Sequence, residues 1–269
     1  MPTITRPDGA EIYYEVHGTG DPVLCVGGWG TFCHGGERGI PFGLIENYQV
    51  ILLDYRGIAE STDNYDTPAT MEMYAGDAIA ILDELGLKNV HLLGMVGIGA
   101  CVCNTIAIQR PDLARSLVNT GAWCKPERML NDQLNLFVDL HRDASWEMFQ
   151  RLVCAFSFTP EFYAENIDRL LGPDGAWGEL RGRIETHQRF IDASVIHDVE
   201  DELRSVETPA LIFHAPLDLI TTPAHTGAIA NALPNAREIT MPGVAHVIAG
   251  KEQRARFSRH LFDFWEEIG

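Results

Sequence analysis

The stretch Val90-His91-Leu92-Leu93-Gly94-Met95-Val96-Gly97-Ile98-Gly99-Ala100 runs straight into Cys101-Val102-Cys103-Asn104-Thr105-Ile106-Ala107. An apolar run rich in Val and Leu breaks at glycines and gives way to a second apolar run. That pattern predicts a buried strand, a sharp turn and a buried helix. Small residues on both sides of the apex suit a strained turn and a helix packed closely on its strand. Between Gly94 and Asn104 there is no Ser, Thr or Asp, and neither Val96 nor Gly97 has a side chain able to attack a carbonyl.

Working outward, the same strand-then-helix grammar recurs on both sides. Ile4–Arg6 and Glu11–Val16 alternate around Pro7-Asp8-Gly9 and predict a hairpin. Val23-Leu24-Cys25-Val26 reads as a buried strand ending in Gly27-Gly28-Trp29-Gly30, glycines that let backbone N–H groups approach a ligand. The polar, glycine-rich Cys33-His34-Gly35-Gly36-Glu37-Arg38 that follows is expected to hang over the same pocket. Val50–Asp54 is the next strand, and apolar residues at helical spacing from Met71 to Leu85 predict a core-facing helix stopped by Gly86.

Downstream, Ser116–Asn119 is a short strand that leads into Gly121-Ala122-Trp123-Cys124. Such alternation predicts a parallel sheet with right-handed crossovers. It stops from Lys125 to Glu207, where helical patterns and a turn at Gly172-Pro173-Asp174-Gly175 stand instead. It returns with a strand at Pro209–His214, a helix at Ala224–Leu233, a strand at Ala236–Met241 and a closing helix from Glu252 to Trp265.

Four loops carry a resemblance to the α/β hydrolases. The 90–100 stretch resembles their nucleophile elbow, G-x-S-x-G, without the serine. Asp54-Tyr55-Arg56-Gly57-Ile58-Ala59-Glu60-Ser61 resembles their D-x-R-G-x-G-x-S turn, with Ala59 for the second glycine. Ala215–Pro223 resembles the loop of the triad acid, and Pro242-Gly243-Val244-Ala245-His246 that of the triad histidine. The resemblance extends over nearly the whole chain and is weakest in 125–207. It implies an α/β fold of the α/β-hydrolase type: a mostly parallel central sheet flanked by helices, with residues 1–124 and 208–269 as core and 125–207 as a helical cap.

Carried over residue by residue, the resemblance implies His246 as general base and Asp218 as the carboxylate that fixes its tautomer. Counting from the strand puts Val96 at the nucleophile position; counting back from the helix puts Gly97 there. Oxyanion donors would be the amide of Gly97 or Ile98 and that of Gly28 or Trp29. Arg56 would tie loops together through its guanidinium fork. The pocket is expected to include Trp123, Cys33 and His34, with most cap aromatics (Trp146, Phe149, Phe156, Phe158, Phe162, Trp177) packing the cap onto the core.

The 269 residues suit one large α/β domain. A net charge of −18 argues against nucleic acid and anionic membranes as partners. No apolar run approaches the roughly 18 residues a bilayer span needs. Six cysteines without a signal-peptide pattern fit buried thiols in the cytoplasm. Scattered histidines and the absence of C-x-x-C give no metal site. The glycines of 94–99 lack the later acidic residue of a dinucleotide fingerprint, so no cofactor is expected. The partner expected is a small-molecule substrate, bound by a monomer or homodimer.

Three functional readings follow. In the first, His246 moves a proton while backbone amides hold an enolate or alkoxide, with no acyl-enzyme. Lyases, decarboxylases, cyclases and general-base hydrolases acting on a small, largely apolar carbonyl compound share these needs. The second is a non-catalytic binding protein on the same fold, and the third a serine hydrolase whose nucleophile has been replaced. Retention of both Asp218 and His246 favours the first.

Overall fold

The apolar runs pair into one eight-stranded sheet in the computed structural model, which describes residues 2–172 and 175–269. The strands are β1 (Thr3–Thr5), β2 (Glu11–His17), β3 (Pro22–Val26), β4 (Gln49–Leu53), β5 (Val90–Gly94), β6 (Ala114–Thr120), β7 (Ala210–His214) and β8 (Ala236–Thr240). Their order across the sheet is β1-β2-β4-β3-β5-β6-β7-β8. Strands β3 to β8 run parallel, whereas β2 joins β1 and β4 antiparallel. This is the mostly parallel α/β architecture that the sequence predicts.

Alternation along each strand explains why the central strands are apolar throughout. Leu24, Ile51, Leu92, Leu117 and Ile212 face one core, while Cys25, Leu52, Leu93, Val118 and Leu211 face the other. A sheet covered on both faces has no solvent side to spend polar residues on. The first core is closed by α2 (Met71–Glu84) and α3 (Ile98–Gln109), the second by α1 (Leu44–Asn47) and by α9 (Lys251–Ile268) through Phe257, Leu261 and Trp265. Thr70 caps α2, its hydroxyl accepting from the Met73 N–H.

Between β6 and β7 the chain builds α4 (Arg128–Asp139), α5 (Trp146–Ser157), α6 (Pro160–Leu170) and α7 (Ile184–Val195), with a π-helical turn at Leu140–Ala144 joining α4 to α5. The middle of the expected turn at 172–175, Pro173-Asp174, lies outside the described residues. Helix α8 (Pro223–Ala232) connects β7 to β8. Arg56 works as a clamp at the end of β4: Nε donates to Asp77 at 2.6 Å and Nη1 to Asp8 at 2.5 Å. No helix among the described residues is long and apolar enough to cross a membrane.

Candidate active site

Every loop named above for chemistry leaves the carboxyl end of a parallel strand, where ligands of open α/β sheets collect. Thr120 ends β6 and Gly94 ends β5, so the turn between β5 and α3 sits at the middle of that edge. Its backbone is strained. Val96 has φ 62°, rare for a β-branched residue, and Gly97 follows with φ 62° and ψ −116°. Glycines permit the close approach around it. A Cβ on Gly94 would stand 2.3 Å from the Cα of Ala100, and one on Gly99 2.3 Å from the carbonyl oxygen of Val26.

The turn's amides are consumed in sequence. Met95 N–H donates to the Val26 carbonyl (2.8 Å), Val96 N–H to Thr120 Oγ1 (3.0 Å) and Gly97 N–H to the Gly121 carbonyl (2.8 Å). Ile98 supplies the first N–H with no acceptor among the described residues, and the amides of Gly28 and Trp29 likewise make no hydrogen bond there. Gly97 therefore does not serve as an amide donor to a ligand, correcting that alternative: its N–H is engaged by Gly121.

Asp218 and His246 come together from the loops after β7 and β8. His246 Nδ1–H donates to Asp218 Oδ2 at 2.9 Å, and both side chains are buried. Three more donors hold the carboxylate: Ile220 N–H and Thr221 N–H on Oδ1 (2.8 and 2.9 Å) and the Thr221 hydroxyl on Oδ2 (2.9 Å). A carboxylate so fixed sets the imidazole's tautomer and leaves the Nε2 lone pair for the cavity. Gly121, at φ 57°, lets the ring lie flat against the backbone, since a Cβ there would meet His246 Cε1 at 3.2 Å. A Cβ built on Gly97 would lie 4.0 Å from His246 Nε2 and 3.6 Å from Trp123.

These groups line a cavity of about 30 Å³, room for a water-sized group, whose wall includes Gly28, Trp29, Trp123, Ser157, Trp177 and His246. Val96, Gly97 and Ile98 form its floor. Two polar atoms of lining residues are buried without a partner: the Ser157 hydroxyl and the Trp123 indole N–H. Both are available to bond a water or a ligand in the cavity. Ser157 escapes the sequence reading, although a lone hydroxyl inside Phe156-Ser157-Phe158 is a signal that could have found it. The Trp29 ring packs on His187 with centroids 5.0 Å apart. His187 in turn lies 3.2 Å, Nδ1 to Nδ1, from His141 on the π-helical turn. Burial, helped by the neighbouring His141, pushes His187 down to about 3, and burial lowers His141 as well.

His34 and Cys33 stand elsewhere, which corrects their placement in the pocket. Asp54, fully buried at the end of β4, captures His34 Nε2 at 2.7 Å, and the ring stacks on Tyr13 at 4.7 Å. Burial opposes charge on that ring, but the Asp54 hydrogen bond and charge outweigh it and raise its pKa. Cys33 turns into the second core, where burial pushes its thiol up. Of the cap aromatics considered, Trp177 lines the cavity, while Phe149 packs against Phe137 and Trp146. No group of three or more His, Cys, Asp or Glu among the described residues is arranged to hold a metal ion.

Residues 21–156 match the family model of the alpha/beta hydrolase fold. The chain is 26% identical over 259 residues to a protein of Azorhizobium caulinodans assigned as the carbamate hydrolase RutD, covering 96% of each. It is 29% identical over 261 residues to a non-heme haloperoxidase of Rhodococcus erythropolis, covering 91% of this chain and 93% of that one. Among solved structures, an enol-lactonase from Burkholderia xenovorans superposes with a TM-score of 0.82 at 18% identity, covering 98% of this chain and 100% of that one. Strand order, the strained turn between β5 and α3, and a match over half the sequence agree, and the chain belongs to the α/β-hydrolase-fold family.

Proposed function

We propose that this chain is an enzyme that uses the His246–Asp218 pair as a general base on a small carbonyl compound, without a covalent acyl-enzyme. One observation carries the reading: a buried imidazole, steered by a carboxylate at 2.9 Å, turns Nε2 toward a position, 97, that has no side chain. Unengaged amides at Ile98, Gly28 and Trp29 line the same cavity. In hydrolysis, a water gives its proton to His246 Nε2 as its oxygen bonds to the carbonyl carbon. The carbonyl oxygen takes the negative charge and is held by the amides, each worth about 3 kcal/mol to such an oxyanion. His246 then returns the proton to the leaving atom as its bond to carbon breaks. Proton abstraction beside a carbonyl, as in a lyase, would use the same base and amides. The names of the relatives, a carbamate hydrolase and a haloperoxidase, support small substrates. Six buried free thiols support a reducing compartment such as the cytoplasm.

The test pairs a variant with a reagent. His246→Ala should abolish turnover in a screen of small carbamates, lactones and keto acids, while a fluorophosphonate leaves the wild-type protein unlabelled by mass. Full activity in the variant would overturn the general-base reading, and no turnover of any of these compounds by the wild type would make the fold a binding module. Labelling of Ser157 would give the cap serine the role of nucleophile instead. A second reading, the serine hydrolase whose nucleophile has been replaced, has its own observation: a Cβ on Gly97 meets only ordinary contacts, so there is space for a serine, although φ 62° strains any side chain there.

A further inference from the structure

The cavity beside His246 is too small for a whole metabolite, yet Trp177 forms part of its wall and also part of a second, much larger space. That groove, about 820 Å³, runs between α6 and the start of α9. Its walls are aromatic: Phe158 and Phe162 stack with centroids 5.3 Å apart, and Phe42 stands with Arg254 4.2 Å above its ring. Charge varies along it. Glu179 stands at the cavity end, where a Cβ on Gly30 would lie 3.4 Å from its carboxylate. Three cations line it too: Lys251 and Arg254 at the start of α9, and Arg169 of α6, whose guanidinium lies 5.8 Å from the centre of the Phe162 ring.

Arg254 is the unusual group. It is half-buried and donates to the backbone carbonyls of Arg38 (2.5 Å) and Ile40 (2.7 Å). Neither it nor Lys251 meets a carboxylate among the described residues, in a chain that carries 38 acidic side chains against 20 Lys and Arg. Burial lowers the Arg254 pKa. A desolvated guanidinium facing an aromatic groove is a ready partner for a carboxylate, which it binds through paired N–H donors. Trp177, at the junction of the two spaces, is held at φ 59°, a conformation that a bulky residue adopts only under constraint.

We propose that this groove binds the tail of the substrate, and that the tail is an aryl or alkyl carboxylate. Its apolar body lies along Phe158 and Phe162 and its anionic end at Arg254 and Lys251. The uncharged carbonyl end points past Glu179 and Trp177 toward His246. This assignment rests on the cavity beside His246 being the reaction site. It narrows the substrate to a carbonyl compound that also carries a remote acid.

A pair of probes, a longer ligand and four proteins test it. Calorimetry should show saturable one-to-one binding of 1-naphthaleneacetate, about tenfold tighter than its neutral amide. In Arg254→Gln and Lys251→Gln the two probes should bind within twofold of each other. His246→Ala should keep the preference, so probe binding stands apart from the fate of the catalytic reading. The longer 4-acetylphenylacetate, which adds a ketone opposite the acid, should shift the His246 imidazole signals in NMR spectra of the wild type. Equal affinity for acid and amide, or an unchanged preference in Arg254→Gln, overturns the anion site. Intact binding with no response at His246 overturns the link between groove and cavity.

Discussion

Gly97 is, with Val96, one of the two positions where the motif this chain resembles carries its serine, and its geometry says what a side chain there would do. A Cβ there points at His246 Nε2 from 4.0 Å, whereas Val96 packs against Gly28, with Cγ1 3.6 Å from where a Cβ of that glycine would be. We expect Gly97→Ser to gain fluorophosphonate labelling at residue 97 and Val96→Ser to gain none, both read by intact mass. The left-handed backbone makes the serine costly, by roughly 1 kcal/mol of stability. If Gly97→Ser stays unlabelled while still folded, position 97 does not face the imidazole productively and the general-base reading loses its geometry. At the same scale, Arg56 is legible from its turn because a guanidinium between two strand ends needs carboxylates, and Asp8 and Asp77 supply them. His34 is not. A histidine in a glycine-rich loop looks like pocket material, and only the position of buried Asp54 decides that it folds back against Tyr13.

Among the elements, α7 holds the helical segment onto the core. Arg189 pairs with Asp63 at 2.7 Å, and Arg183 donates to the Gly57 carbonyl at 2.8 Å. Asp63 is almost wholly buried, and its other cation, Arg56, is 3.7 Å away. Arg189→Ala should therefore cost about 3 kcal/mol in urea unfolding, because it strands most of a buried charge. The double variant Asp63→Asn with Arg189→Met should recover much of that loss. Equal stability of the wild type and Arg189→Ala would show that α7 is held by its apolar face alone. Strands and their order are readable because both faces of the sheet are buried and each strand is a continuous apolar run. Helices between β6 and β7 are readable as helices from their spacing, but their faces are not. Which side chain meets the cavity depends on how α5 rolls against the core and on the path of the connection between α6 and α7, so Ser157 and Trp177 reach it while Phe149 does not. Nothing in the local pattern announces the groove either, since its walls come from α6 and α9, far apart in sequence.

For the molecule as a whole, four histidines among the described residues, His141 included, are buried where charge is unwelcome. Burial lowers His187 to about 3 and His91 and His197 to about 4. The folded state keeps these rings neutral, so below the ordinary imidazole pKa of ~6.5 the unfolded chain takes up protons that the folded chain refuses. Stability should fall as pH drops from about 6.5 toward 4, each ring contributing on the order of 1 kcal/mol per pH unit. Urea midpoints between pH 7 and 4.5 would show it, and His197→Leu should flatten the slope. His197 suits that substitution because neither of its ring nitrogens has a partner to lose. A slope unchanged by His197→Leu would mean that the ring is protonated in the native state. All six cysteines are free and buried, spread over β3, the loop after it, α3, the loop after β6 and α5. A colorimetric disulfide reagent would consequently react only as fast as the molecule breathes, and the order in which sulfurs are consumed would chart which parts part company first.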